Sequence, residues 1–187
     1  PDLMDTADLL SRTQQAIIGG AKIIQYRNKR ASQPVLTEQA QLLLQLCRDY
    51  QIPLIINDHV DLAADIDADG VHLGQHDAQM TYARERLGHT KIIGVSCYNS
   101  LGSAIRAEGE GADYVAFGAF FPSLTKPDAV SVPMSVMAQA NKSISIPIVA
   151  IGGIRLTNAK SVIDKGCAAI AVCNELFFAD EIVATAA

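Results

Sequence analysis

Residues 53–77 read PLIINDHVDLAADIDADGVHLGQHD. An apolar run, Pro53–Ile56, ends in Asn57-Asp58. A short helical pattern follows over His59–Ile66. A second apolar run, Gly70–Leu73, then ends in Gln75-His76-Asp77. Runs that are apolar throughout, without alternation, predict strands buried on both faces, as in a parallel sheet. Two such strands joined by a helix form a right-handed crossover unit. Asp65-Ile66-Asp67-Ala68-Asp69-Gly70 between them imitates the opening of a calcium loop. The twelfth position of such a loop would be His76, where a bidentate glutamate is required, so a solvated helix-to-strand turn is expected instead.

The same alternation extends to both ends of the chain. Upstream, Asp5–Gly19 predicts a helix stopped by Gly19-Gly20, Ala21–Arg27 a strand, and Leu36–Tyr50 an amphipathic helix with Thr37 as N-cap. Downstream, helices are expected over Gln79–Leu87, Ser100–Gly109, Pro133–Asn141, Thr157–Lys165 and Leu176–Ala184. Strands are expected over Lys91–Ser96, Asp113–Gly118, Ile146–Ile151 and Ala168–Cys173. The longest connection, Ala119–Ser131, carries Pro122 and Pro127. The pattern makes seven strands, and every segment between strands is helical. The natural closure is a (β/α)8 TIM barrel whose first strand lies upstream of Pro1. An open doubly wound sheet is the alternative.

With 187 residues, 49 % of them hydrophobic, a single domain over 1–187 is expected. The net charge of −5 and the lack of a long basic run argue against a nucleic-acid partner. No apolar stretch approaches the ~18 residues of a membrane span, and no signal peptide is visible. The four cysteines show no paired spacing, which fits a reduced, cytoplasmic setting. Cys167 and Cys173, on what reads as one strand, would lie roughly 20 Å apart. The histidines 59, 72, 76 and 89 form no ligand or triad spacing, and His72 falls inside a strand. There is no nucleophile elbow and no dinucleotide fingerprint.

In strand–helix barrels chemistry collects at the C-terminal strand ends, and six polar motifs sit there. They are Gln25-Tyr26-Arg27-Asn28-Lys29, Asn57-Asp58, Gln75-His76-Asp77, Ser96, Ser123-Leu124-Thr125-Lys126 and Gly152-Gly153. Gln25, Arg27 and Lys29 alternate, so strand periodicity puts them on one face at about 6.6 Å spacing. A donor row of that pitch can track a diphosphate, with Arg supplying a fork and Lys a point charge. Asp58 and Asp77 end consecutive strands, which pair at about 4.8 Å. Both can reach one Mg²⁺, which takes one or two carboxylates plus phosphate oxygens and water. Each also precedes a helix and could cap it. Ser123, Thr125 and Lys126 suit a loop that closes on phosphate. Gly152-Gly153 lets the backbone approach a ligand and precedes a helix whose N–H groups favour anions.

These motifs, in this order, resemble those of the thiamine-phosphate synthase family over nearly the whole chain. The resemblance rests also on Gly70-Val71-His72-Leu73-Gly74-Gln75, Gly94-Val95-Ser96, Pro122 and Ala150-Ile151-Gly152-Gly153-Ile154. It implies a (β/α)8 barrel that joins a hydroxymethylpyrimidine diphosphate to a thiazole phosphate by a dissociative route and releases pyrophosphate. It assigns the pyrimidine diphosphate to Gln25, Tyr26, Arg27, Asn28, Lys29, Asn57, Ser96 and Lys126, with Arg27, Lys29, Lys126 and Ser96 as the catalytic set. Mg²⁺ goes to Asp58 and Asp77. The thiazole phosphate goes to Ser123, Leu124, Thr125, Gly153, Cys173 and Asn174. The implied partners are these two small molecules, with no nucleic acid and no membrane; a homo-oligomer remains open. Three features depart from the family pattern: Ser123 for threonine, His76 for an acid, and the pair Cys173-Asn174. Two other functions stay open. One is the thiazole tautomerase relative, which carries a histidine where this chain has Ala119. The other is a paralogue that binds thiamine phosphates without turnover.

Overall fold

The computed structural model describes residues 4–74, 79–122 and 131–187. Its elements alternate: α1 (Thr6–Ile18), β1 (Ile24–Tyr26), α2 (Gln33–Asp49), β2 (Leu54–Asn57), α3 (Val60–Asp65), β3 (Gly70–Leu73), α4 (Met80–Leu87), β4 (Ile92–Tyr98) and α5 (Leu101–Gly109) come first. β5 (Tyr114–Phe117), α6 (Ser135–Ser143), β6 (Ile148–Ile151), α7 (Ala159–Ile163), β7 (Ala169–Ala171), α8 (Asn174–Phe177) and α9 (Ile182–Ala186) follow. The seven strands found among the described residues form one sheet in sequence order. The pairs β1–β2, β2–β3, β4–β5, β5–β6 and β6–β7 are parallel. The expected strand-to-helix alternation is therefore present. The eighth strand of a closed barrel is not among the described residues.

The chain forms two compact units. The first comprises Pro1–His72, Ala83–Ile92 and Cys173–Ala187; the second comprises Leu73–Tyr82 and Ile93–Val172. In the first unit, Asp5 caps α1 by accepting a 2.8 Å hydrogen bond from the Asp8 N–H. Leu9, Thr13, Ala16 and Ile17 form the buried stripe of α1, which packs on α2, α8 and α9. The Thr13 hydroxyl donates to the Leu9 carbonyl at 2.7 Å, so the one hydroxyl in that stripe is satisfied.

Three local expectations are corrected. Helix α2 begins at Gln33 after Ser32, so Thr37 lies inside the helix and is not its N-cap. Pro34 sits in the first turn, where its missing N–H costs nothing and its fixed φ suits the helix, so the helix starts ahead of its apolar stripe. The single final helix is two short ones, α8 and α9. Arg12 Nη1 donates to the Phe177 carbonyl at 2.9 Å and satisfies the C-terminal end of α8 from outside, where the helix stops. The last strand spans only Ala169–Ala171, so Cys167 and Cys173 do not share it. Both thiols are free.

One device recurs at the N-terminal ends of strands. In the first unit the Asp69 N–H donates to the Leu54 carbonyl at 3.1 Å, and the Leu54 N–H donates to Asp69 Oδ2 at 2.8 Å. In the second unit the Asp113 N–H donates to the Ile93 carbonyl at 2.8 Å, and the Ile93 N–H donates to Asp113 Oδ2 at 2.7 Å. Each aspartate thus closes a two-way clasp on the first turn of the preceding strand's ladder. The buried middles of the strands supply the core: Leu54, Ile55, Ile56 and Val71 in the first unit, and Ile93, Val115, Phe117, Met137 and Val162 in the second. Each such side chain contributes roughly 1.5–3 kcal/mol when fully buried.

Candidate active site

In the first unit the donor segment begins on β1. Ile24 and Tyr26 are buried, and Gln25 between them is exposed. The strand ends at Tyr26, so Arg27 and Lys29 lie past it, and strand alternation does not set their spacing. The turn that carries them is shaped by Asn28. Its Oδ1 accepts from the N–H groups of Arg30 and Ala31, both at 3.1 Å. Its Nδ2 donates to Gln39 Oε1 at 3.3 Å. The buried Tyr26 hydroxyl donates to the same oxygen at 2.7 Å. The Tyr26 hydroxyl and Asn28 Nδ2 thus meet α2, while Arg27 and Lys29 flank Asn28 with charged side chains.

Lys29 Nζ reaches Asp58 Oδ2 at 2.8 Å. Asp58 follows directly on Asn57, the last residue of β2, and Asn57 is in register with His72 of β3. The backbone at Asp58 has φ 66°, in the left-handed region that aspartate tolerates better than most residues. Its N–H donates to the His72 carbonyl at 2.9 Å, which fixes that turn. The N-cap of α3 is His59, and it makes no side-chain capping bond. The Asp58 side chain is 18 % exposed and that of Lys29 52 %. His72 is buried within β3, as its place in an apolar run predicts. At the other end of the first unit's sequence, Cys173 is exposed and precedes α8, whose first residue is Asn174. The Cys173 carbonyl accepts from the Leu176 and Phe177 N–H groups.

In the second unit Ser96 lies in β4, half-buried and in register with Ala116 of β5. The strand runs two residues further than the expected Lys91–Ser96, through a register shift between Ser96 and Tyr98. Such a shift re-aims side chains at a strand end. Gly152 and Gly153, just after β6, have φ of 99° and 62°. A Cβ on Gly152 would run into Ala119, and one on Gly153 would lie 2.6 Å from the Phe121 carbonyl oxygen and run into that of Pro122. The Phe121 N–H in turn donates to the Gly152 carbonyl at 3.0 Å. Glycine is therefore required here by the chain's own backbone. The pair does not lead directly into a helix, because α7 begins only at Ala159. Asn158 ties the intervening loop: its Nδ2 donates to the Gly153 carbonyl at 3.0 Å, and its Oδ1 accepts from the Arg155 N–H at 2.8 Å.

Gln75, His76, Asp77, Ser123, Leu124, Thr125 and Lys126 lie outside the described residues. Two residues the motifs did not flag, Gln39 and Asn158, hold the segments that carry the flagged ones. Burial pushes the Cys47 and Cys97 thiols up to about 12, so both stay protonated near neutral pH and offer no nucleophile. Among the described residues no helix is long and apolar enough to cross a membrane.

Comparison with known proteins is consistent along the chain. Residues 1–176 match the family model for thiamine monophosphate synthase. A thiamine-phosphate synthase of Nitrosospira multiformis is 54 % identical over 187 residues, covering all of this chain and 80 % of the relative. One from Nitrosomonas eutropha is 50 % identical over 186 residues, covering all of this chain and 88 % of the relative. Among solved structures, thiamine phosphate pyrophosphorylase from Pyrococcus furiosus superposes with a TM-score of 0.87 at 37 % identity. That match covers 95 % of this chain and 85 % of the other.

Proposed function

The chain belongs to the thiamine monophosphate synthase family and is a transferase of thiamine biosynthesis, and from that premise we propose how its own residues carry the coupling. The substrates are 4-amino-2-methyl-5-hydroxymethylpyrimidine diphosphate and thiazole phosphate. The bond between the pyrimidine methylene carbon and the diphosphate oxygen breaks, and its electron pair leaves with the diphosphate. The thiazole nitrogen then gives its lone pair to the methylene carbon, forming thiamine phosphate. Negative charge grows on the leaving group, so fixed cations and donors facing it lower the barrier without a protein nucleophile.

The observation that carries this reading is the Lys29–Asp58 pair at the ends of adjacent strands, next to Asn57 and Arg27. Arg27, Lys29 and Lys126 would supply the positive charge, with Gln25, Asn57 and Ser96 as neutral partners of the diphosphate. Ser123, Leu124, Thr125, Gly153, Cys173 and Asn174 would bind the thiazole phosphate. Tyr26 and Asn28 join the pyrimidine-diphosphate set through the shape of their segment. The chain passes between the two compact units four times over 1–187, and the whole chain 1–187 is the catalytic domain in this reading.

Asp58 also fits a hard cation: it is an oxygen donor already matched to a positive charge at 2.8 Å. With Asp77 it would hold Mg²⁺, which when bound supplies further charge neutralisation to the diphosphate. A cytoplasmic setting follows from where such small-molecule synthesis takes place. Ala119 lies against Gly152 where the tautomerase relative has a histidine, which favours coupling over isomerisation.

The test is pyrophosphate release with both substrates, each alone, and with or without Mg²⁺. Release that needs both substrates and the metal, with thiamine phosphate as product, is expected. Release from the diphosphate alone would point to a hydrolase. No release despite tight binding of either substrate would point to the non-catalytic paralogue.

A further inference from the structure

We infer that Gln39 is a positioning residue for the Arg27–Lys29 segment, a role that rests on the assignment of that segment to the diphosphate. Gln39 lies in α2 and is only 3 % exposed, an uncommon place for a side-chain amide in the middle of a helix. A buried amide is costly unless its donors and acceptor are used. Here Oε1 accepts from the Tyr26 hydroxyl at 2.7 Å and from Asn28 Nδ2 at 3.3 Å, filling both of its lone pairs. Nε2 donates to Thr6 Oγ1 at 3.2 Å, which anchors the amide to the first residue of α1.

The two groups held by Oε1 bracket Arg27, one residue on each side. Asn28 in turn accepts from the Arg30 and Ala31 N–H groups, so its orientation sets the turn on which Lys29 stands. Lys29 then meets Asp58 at 2.8 Å. A chain of hydrogen bonds therefore runs from α1 through Gln39 and Asn28 to the Arg30 and Ala31 N–H groups, in the segment that carries the candidate diphosphate cations. Gln39 touches neither substrate nor reacting atoms in this scheme. It holds the backbone segment that carries two side chains that do, Arg27 and Lys29, and loss of such support misplaces charge that must be aligned to act.

The test compares wild type with Gln39→Met and Gln39→Glu. Met keeps the helix and nearly the volume but makes none of the bonds. Glu keeps the acceptor for Tyr26 and Asn28, and the Thr6 hydroxyl can turn to donate to it. Losing the two bonds from Oε1 to the diphosphate segment should raise KM for the pyrimidine diphosphate about tenfold in Gln39→Met, with KM for the thiazole phosphate unchanged. Gln39→Glu should recover most of that loss. An unchanged diphosphate KM in Gln39→Met would overturn the inference, as would equal rises in both KM values. Should Gln39→Met fail to fold, Tyr26→Phe removes one of the same bonds from the opposite side. A severalfold rise in diphosphate KM is then expected, and no rise would count against the role. If wild type does not couple the two substrates, the proposed function fails on its own. Binding of inorganic pyrophosphate, measured by calorimetry, then decides the matter for Gln39: weaker binding by Gln39→Met supports it, and equal binding overturns it.

Discussion

At the scale of single residues, Asp58 combines an unusual backbone with the side chain proposed to bind the metal. Its φ of 66° is tolerated by aspartate and asparagine but costs alanine about 1–2 kcal/mol. Asp58→Asn therefore removes the charge alone, and Asp58→Ala adds backbone strain. Both should lower kcat/KM by about a hundredfold or more, the scale of losing one electrostatic contact to the transition state. Only Asp58→Ala should also lower the thermal midpoint. Wild-type turnover in Asp58→Asn would remove Asp58 from the site. The same scale has a pH signature. The carboxyl of Asp67 is held below its ordinary value of 3.8, first by its hydrogen bond to Lys91, then by that ammonium's charge and by Arg48. A depressed carboxyl stabilises the fold above the unfolded value, and that contribution is lost as pH falls through the folded value. Stability of wild type and Asp67→Asn, compared by urea denaturation between pH 7 and pH 3, should differ near neutrality and converge in acid. The difference should be small, since Asp67 is exposed. The candidate residues at the site were picked out because charged and hydroxyl side chains at the ends of apolar runs are hard to explain otherwise, and of these the structure pairs Lys29 with Asp58. Their supports were not legible. Gln39 sits in a stretch that reads as an ordinary amphipathic helix, and nothing local marks its amide as buried.

At the scale of elements, the clasps of Asp69 and Asp113 show what a sequence pattern can hide. Ala68-Asp69-Gly70-Val71 and Ala112-Asp113-Tyr114-Val115 are the same motif, each opening a strand. The run Asp65–Gly70 reads as a solvated turn, but only Asp65 and Asp67 in it are exposed, Ala68 and Gly70 are buried, and Asp69 is tied to Leu54 through both its N–H and its carboxylate. Asp69→Ala leaves the Leu54 N–H without its charged acceptor. That should destabilise the protein by about 1–3 kcal/mol, while Asp69→Asn, which keeps an oxygen acceptor, should cost less. Urea denaturation of the two variants checks the order, and equal losses would show that the bond to Leu54 contributes little. Strand order and the alternation of elements were legible, because runs apolar on both faces leave few alternatives. Boundaries were less so. The start of α2 depends on Pro34, which the apolar stripe does not register, and the break between α8 and α9 coincides with a bond from Arg12, far away in sequence. The glycine pair after β6 was found, but its cause is the close carbonyls of Phe121 and Pro122, which a sequence does not display.

At the scale of the whole molecule, the first unit is assembled from three separate stretches, Pro1–His72, Ala83–Ile92 and Cys173–Ala187. Helix α1 packs on both α8 and α9, so contacts between the earliest and latest residues must form before the buried stripe of α1 is complete. Contacts of such long sequence separation carry a large loop-closure cost and slow folding. Gly19, the C-cap of α1, lies directly against α9. Its φ of −70° is open to any residue, so the need for glycine is one of space. A Cβ there would lie 2.5 Å from the Val183 carbonyl oxygen and 2.6 Å from Ala186 Cβ. Nearby, Ile182 is 2 % exposed and ties α9 to the unit's core. Gly19→Val should therefore push α9 from its seat and cost about 1–3 kcal/mol as an overpacked contact. Ile182→Ala should cost about 2–5 kcal/mol as a truncated core side chain. Because both act on one interface, their effects should fall short of additive, since once α9 is displaced the second change has little left to remove. Hydrogen exchange adds a local readout: the α1 amides should lose protection in both variants. Wild-type protection of α1 in Gly19→Val, or strict additivity in the double variant, would mean that the two chain ends do not stabilise one another through this contact.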